Sequence, residues 1–115
     1  MNFEKFNDLV KWYKEQCNGD WEHAFGISIQ TLDNPGWCVE IDLKGTPLEG
    51  AVFEERISGD FSDNNPSPPW LHCKVLDNKF DGAGDTNQLA NIVEIFLSWD
   101  ESIRRLKQTR HAENL

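Results

Sequence analysis

CNGDWEHAFGISIQTLDNPGWCVEIDLKG, residues 17–45, decides the fold of this chain. Apolar and polar side chains alternate over 21–29, a period of two that predicts a half-buried β-strand. Residues 33–36 (DNPG) then supply turn chemistry, and the alternation resumes over 37–43. Before the first strand, Asn18-Gly19 is typical of a helix end. The stretch therefore predicts a helix followed by an antiparallel hairpin.

The rest of the chain extends this pattern on both sides. Apolar side chains at helical spacing predict an amphipathic helix over 2–18 and a second one over 85–108. Alternation predicts a third strand over 51–57, with Phe53 and Ile57 on its apolar, core-facing phase, and a fourth strand over 70–76. Residues 81–84 (DGAG) are interpreted as a turn.

The fold class predicted from these elements is α+β. We expect a single domain over 1–115, with an antiparallel four-stranded meander within 21–76 and the N- and C-terminal helices packed on one face. The opposite sheet face is left to solvent or to a partner.

Composition and charge limit the classes of function and of partner that are compatible with this chain. The chain has 115 residues, and its start lacks the basic and apolar segments of an export signal, so we expect a cytoplasmic protein. It has no apolar run long enough for a bilayer. A formal net charge of −9 argues against nucleic acid and anionic membranes as partners and favours a basic protein.

The cysteines do not form a recognisable site. Their number is three, no two are spaced as CxxC, and we predict reduced thiols without a disulfide framework, a bound metal or another cofactor. Cys17 and Cys73 fall on apolar phases and are expected in the core, whereas Cys38 falls on the polar side of its strand.

One combination of residues is compatible with catalysis. Glu22, His23 and His72 offer a carboxylate and two imidazoles for metal binding or for general acid and base chemistry. Regular strand phasing, however, directs His23 to the core and His72 outward, on opposite sides of the sheet. A small hydrolase or metal-dependent enzyme is therefore the alternative rather than the main prediction.

The open sheet face is the preferred candidate site. Strand alternation directs acids and one large aromatic side chain to it, and the residues predicted to bind a partner are Glu40, Asp42, Glu54, Trp70 and His72. A tryptophan anchor flanked by carboxylates suits a protein interface. In the alternative interpretation Trp70 lies under the Pro68-Pro69 loop, and the acids serve only solubility.

Four segments together resemble the immunity protein 53 family of bacterial polymorphic toxin systems. They are WYKEQCNGDWEH (12–23), FGISIQTLDNPGWCVEIDLKGTPLEG (25–50), WLHCKVLDNKFDGAG (70–84) and NIVEIFLSW (91–99). The resemblance implies a small cytoplasmic protein without catalytic activity, which binds and neutralises a cognate toxin domain. It supplies no set of functional residues.

Residues and resemblance together give a functional hypothesis. We expect stoichiometric inhibition of a toxin domain through an acidic surface, with a basic nuclease as the toxin. We expect a monomer or a weak homodimer. Besides the enzyme, a self-associating scaffold that buries the open face between two copies remains an alternative.

Overall fold

The computed structural model describes residues 3–62 and 66–113, with side chains up to residue 109. Within these ranges the elements in chain order are α1 Phe3–Gln16, α2 Trp21–Ala24, β1 Ile27–Leu32, β2 Gly36–Asp42, β3 Arg56–Ser58, β4 Leu71–Leu76, β5 Lys79–Asp85 and α3 Leu89–Glu113. The predicted α+β class with terminal helices is confirmed; residue 2 of the predicted first helix lies outside the described residues. None of the described helices combines the length and apolar character needed to cross a bilayer.

The sheet has five strands in the order β1-β2-β5-β4-β3, and all neighbours are antiparallel. The prediction of a four-stranded meander is therefore wrong in strand number and in connection, because β5 is inserted between β2 and β4. Asp77 and Asn78 both have positive φ, 54° and 60°. This is the backbone of a tight two-residue hairpin turn, so β4 reverses directly into β5.

Residues 21–24 form one helical turn, where the sequence predicted the start of a strand. Two side chains bind backbone N–H groups at this turn. The Glu22 carboxylate accepts the N–H of Asn18 (2.9 Å) and of Gly19 (2.8 Å), and Oδ1 of Asn18 accepts the N–H of Asp20 and of Trp21, both at 2.9 Å. Trp21 is still buried, and its Nε1 donates to the carbonyl of Lys44 at 2.8 Å. His23 is exposed, so its predicted core position is wrong.

The third strand is shorter than predicted, and its phase is reversed. Phe53 packs into the core against Phe80 and Trp99, with ring centroids 5.6 and 5.0 Å apart, but it precedes the sheet. Its inward position therefore does not set the phase of β3. Within β3, Ile57 lies opposite His72 and is exposed instead of buried.

The core lies between α3 and the central strands. Its fully buried large side chains come mainly from β2, β5 and α3, and they are Val39, Ile41, Leu43, Leu48, Phe80, Ile92, Val93 and Phe96. Cys73 is buried with them, as predicted. Cys17 is exposed, contrary to the prediction, because the buried stripe of α1 is Leu9, Trp12 and Gln16.

Candidate functional site

The sheet face that points away from the helices is called the open face here. Strand alternation and the observed register place on it the side chains of Ser28, Gln30, Leu32, Cys38, Glu40, Asp42, Ile57, His72, Lys74, Leu76, Lys79, Asp81 and Ala83. Of the predicted partner-binding residues, Glu40, Asp42 and His72 thus share this face. Trp70 directly precedes β4 on the same phase. Glu54 lies exposed in the irregular segment before β3, outside the sheet.

Three rings form an aromatic cluster at one end of the open face. Phe61 packs edge-on against Trp70 (centroids 5.9 Å apart) and against the His72 imidazole (6.1 Å). The Nε2 of His72 lies 2.8 Å from Oε1 of Glu55, which fixes the imidazole in place. Phe61 itself is 40% exposed, so the cluster presents aromatic surface to solvent.

Beside this cluster lies a hollow with a volume of about 890 Å³. Its apolar lining consists of Leu32, Pro35, Phe61, Pro66, Pro68 and Trp70. We call it the tryptophan hollow. It joins the β1–β2 turn to the segment before β4, and Trp70 is half-buried in its wall, neither fully covered by Pro68-Pro69 nor free.

The acidic side chains of the open face differ in solvent exposure and in the contacts that they make. Glu40 is exposed and lies directly opposite Asp81 on β5, so two carboxylates share one position of the ladder. Asp42 is half-buried; it accepts the N–H of Gly26 at 2.9 Å and lies 3.8 Å from Nζ of Lys79. Glu40 is therefore suited to meet a partner, whereas Asp42 supports the sheet.

Basic side chains moderate the charge of this face. Lys74 lies opposite Asp81, and Lys79 lies opposite Asp42. Residues 49–60, called the acidic segment here, carry four exposed carboxylates against one basic residue, Arg56. The carboxylates are those of Glu49, Glu54, Glu55 and Asp60. Because this segment leads into the aromatic cluster, acids and rings lie side by side.

Cys38, Glu40 and Asp81 form the one group of potential metal ligands found among the described residues, with ligand atoms all within 4.8 Å of one another. The Cys38 Sγ lies 3.9 Å from Oδ1 of Asp81. Burial, together with these two carboxylates, raises the pKa of the Cys38 thiol. A raised pKa keeps the Cys38 thiol protonated near neutral pH, which makes it a poor nucleophile.

The alternative catalytic residues have separate roles in the structure. Hydrogen bonds from its own backbone N–H and from those of Asn18 and Gly19 outweigh partial burial and lower the pKa of Glu22, which suits a structural carboxylate and not a general acid. His23 is exposed on α2, whereas His72 is bound to Glu55 on the open face.

Sequence reasoning missed three residues of the site. Phe61 lies in a stretch rich in turn-forming residues, the sequence pattern places Asp81 in a turn, and it places Ile57 on the core-facing phase of the third strand. Only the Asp77-Asn78 pair, a hairpin signal between two alternating stretches, could have indicated β5 and therefore Asp81.

The match to known families favours an interaction protein over the alternatives. Residues 6–101 match the family model described as Immunity protein 53. The chain belongs to the immunity protein 53 family. No curated protein and no solved structure matches it. An immunity protein 53 domain covering most of the chain indicates a binding protein whose partner is a protein toxin, and the open face and acidic segment are the surfaces on which to look for that partner.

Proposed function

We propose that this immunity protein 53 family member neutralises a cognate toxin domain in the cytoplasm of the producing cell, by binding it stoichiometrically and without catalysis. Family membership over residues 6–101 is the observation that carries this proposal. The binding surface is the aromatic cluster together with Glu40 and the acidic segment. Its rings supply desolvated contact area, and its carboxylates attract a basic partner.

The proposed toxin is a basic nuclease. A net charge of −9 lets the protein occupy a groove that otherwise holds phosphates, and long-range attraction accelerates the encounter. The test is a pull-down and a toxicity rescue with the toxin domain encoded immediately upstream of this chain's gene. A stable one-to-one complex with rescue supports the proposal, and a folded protein that neither binds nor rescues contradicts it.

Charge reversal tests the electrostatic part of this proposal. The variant Glu40→Lys/Glu54→Lys is expected to slow association with the toxin by about tenfold at low salt, because it reverses exposed charge beside the rings. The matched control, Asp8→Lys/Asp20→Lys, changes net charge equally at two exposed positions outside the open face and the acidic segment. Stopped-flow association rates at several salt concentrations check this. If both variants slow association equally, the effect depends on net charge alone and not on the position of the charges.

Replacing Trp70 tests whether this side chain anchors the toxin. Trp70→Ala is expected to weaken binding by about 2 kcal/mol, roughly 30-fold in Kd, because it empties both the aromatic cluster and the wall of the tryptophan hollow. Phe3→Ala serves as control, since Phe3 is an exposed ring on α1. Titration calorimetry on variants shown to be folded by circular dichroism measures both. Unchanged affinity in Trp70→Ala would place the interface elsewhere.

A further inference from the structure

β1 leaves half of its backbone groups without a strand partner. It is an edge strand, and among the described residues it pairs only with β2. Asp42 donates its N–H to the carbonyl of Gly26 at 3.1 Å, which marks Gly26 as a hydrogen-bonded position of the ladder. Because such positions alternate in antiparallel pairs, the N–H and C=O of Ile27, Ile29 and Thr31 point away from β2.

This edge carries none of the usual protection against a further strand. Natural edge strands are shielded by charged side chains, proline, bulges or very short length. The sequence of β1, ISIQTL, has no charge and no proline, and all six of its residues pair with β2 in continuous register. The opposite edge, β3, is three residues long and contains Arg56.

Apolar hollows lie at both ends of the β1 edge. On the helix side, Leu9, Val10, Tyr13, Gly26 and Ile27 line a groove of about 350 Å³. Val10 is 49% exposed and Ile29 is 40% exposed, so the helix layer stops short of the strand's outer side. At its other end, Leu32 borders the tryptophan hollow. The edge is thus continuous with the surface proposed to bind the toxin.

We propose that an extended segment of the toxin pairs with β1 as a sixth strand of the sheet. This inference rests on the proposed function. A matching segment of six residues spans about 20 Å. Every second side chain is apolar and covers Ile29 and Val10 on the helix side. The side chains between them are basic, lie beside Ser28 and Gln30 on the open face, and extend across β1 toward Glu40. Backbone hydrogen bonds supply affinity, and the alternating side chains supply specificity.

Charge favours a toxin strand over a second copy of this chain. A second copy would bring a further net charge of −9 and a β1 without any basic residue to meet Glu40. A basic partner instead gains from the negative charge while it covers the same apolar surface.

Amide hydrogen exchange measured by NMR tests the pairing directly. In the free protein the amides of Ile29 and Thr31 are expected to exchange fast, whereas those of Ser28 and Gln30 are protected by their bonds to β2. In the complex with the upstream-encoded toxin domain, Ile29 and Thr31 are expected to slow by about 100-fold or more. A complex in which they stay fast overturns the added strand but leaves the proposed function standing. Failure of the wild-type protein to form any complex overturns both.

A charged substitution in β1 tests the pairing in a second way, through the affinity for the toxin. Ile29→Lys is expected to weaken toxin binding by about tenfold or more, because it adds a charge where an apolar side chain must be covered. Phe3→Lys, at an apolar residue that is 76% exposed on α1 and lies outside the proposed binding surface, is the matched control and should bind as the wild type does. Equal affinity of the two variants overturns the pairing. Slow exchange of Ile29 in the free protein that depends on its concentration would assign the edge to a second copy and also overturn it.

Discussion

Replacing Gly82 with alanine is expected to lower the free energy of unfolding by about 2 to 3 kcal/mol. Gly82 is buried in β5, under α3, where an added Cβ would overlap with Cγ2 of Ile92 and would lie 3.2 Å from Cε1 of Phe80 and 3.3 Å from Sγ of Cys73. Ile92 is β-branched and sits on a helix, so its side chain has no other favourable rotamer. The helix and the sheet must therefore separate or strain.

Urea unfolding followed by tryptophan fluorescence measures this loss, and Gly26→Ala is the control. A Cβ at Gly26 meets nothing within 4 Å, so that variant is expected to change stability by less than about 0.5 kcal/mol. Equal stability of the Gly82→Ala and Gly26→Ala variants would refute the close approach of α3 to the sheet.

A double-mutant cycle identifies the contact responsible. Ile92→Ala alone should cost about 3 kcal/mol through the cavity that it leaves. Combined with Gly82→Ala, part of that cavity is filled by the new methyl group. The cost of the double variant should then be smaller than the sum by more than about 1 kcal/mol. Simple additivity would show that Ile92 is not the residue that excludes a side chain at Gly82.

The same glycine explains why sequence reasoning missed a strand. DGAG has the composition of a turn, and glycine normally weakens a strand interior. Here glycine is required because a helix packs closely on the central strand, and that contact joins residues ten positions apart through the fold. No pattern among neighbouring residues of the sequence indicates this contact. By contrast, the hairpin of β1 and β2 was predicted correctly, because alternation and the DNPG turn are local signals.

Two other predictions, for residues 21–24 and for Ile57, are wrong because specific contacts in the structure differ from what the alternation pattern indicates. Residues 21–24 alternate like a strand, but the carboxylate of Glu22 binds backbone N–H groups behind it and forms a helical turn. Phe53 is buried as an inward strand residue would be, yet it enters the core before the sheet begins, so Ile57 falls on the opposite phase. In both places, specific side-chain contacts outweigh the alternation pattern.

The candidate site was predictable to the extent that it depends on regular strands. Glu40 and His72 share a face because each lies within a strand whose phase was assigned correctly. Phe61 could not be placed, since its contact with Trp70 joins a loop to a strand across the sheet's end. The aromatic cluster is therefore a product of tertiary structure, while the acids around it are visible in the sequence.

Asp85→Ala is expected to lower the free energy of unfolding by about 3 kcal/mol, because it removes a buried carboxylate and leaves its three donors, two of them on half-buried residues, without that acceptor. Asp85 is 1% exposed, and its carboxylate accepts the N–H of Trp70 (2.8 Å), the N–H of Asn87 (2.9 Å) and Nε2 of Gln88 (3.1 Å). It thereby joins the start of β4 to the end of β5 and the entry into α3. Asp85→Asn keeps one acceptor oxygen and should cost less than Asp85→Ala; equal costs would argue that the hydrogen bonds contribute little.

The contribution of Asp85 should also depend on pH. Burial raises the pKa of Asp85, but the hydrogen bonds from Asn87, Trp70 and Gln88 together outweigh it and hold the pKa below its usual range. A lowered pKa in the folded state gives stability that is fully present above the unfolded pKa of about 3.9 and is lost as pH falls through the folded value. Urea unfolding at a series of pH values should therefore show the gap between wild type and Asp85→Asn constant near neutrality and shrinking below about pH 4. A gap that stays the same down to the lowest pH at which both proteins fold would mean that Asp85 does not stabilise the structure as an ionised carboxylate.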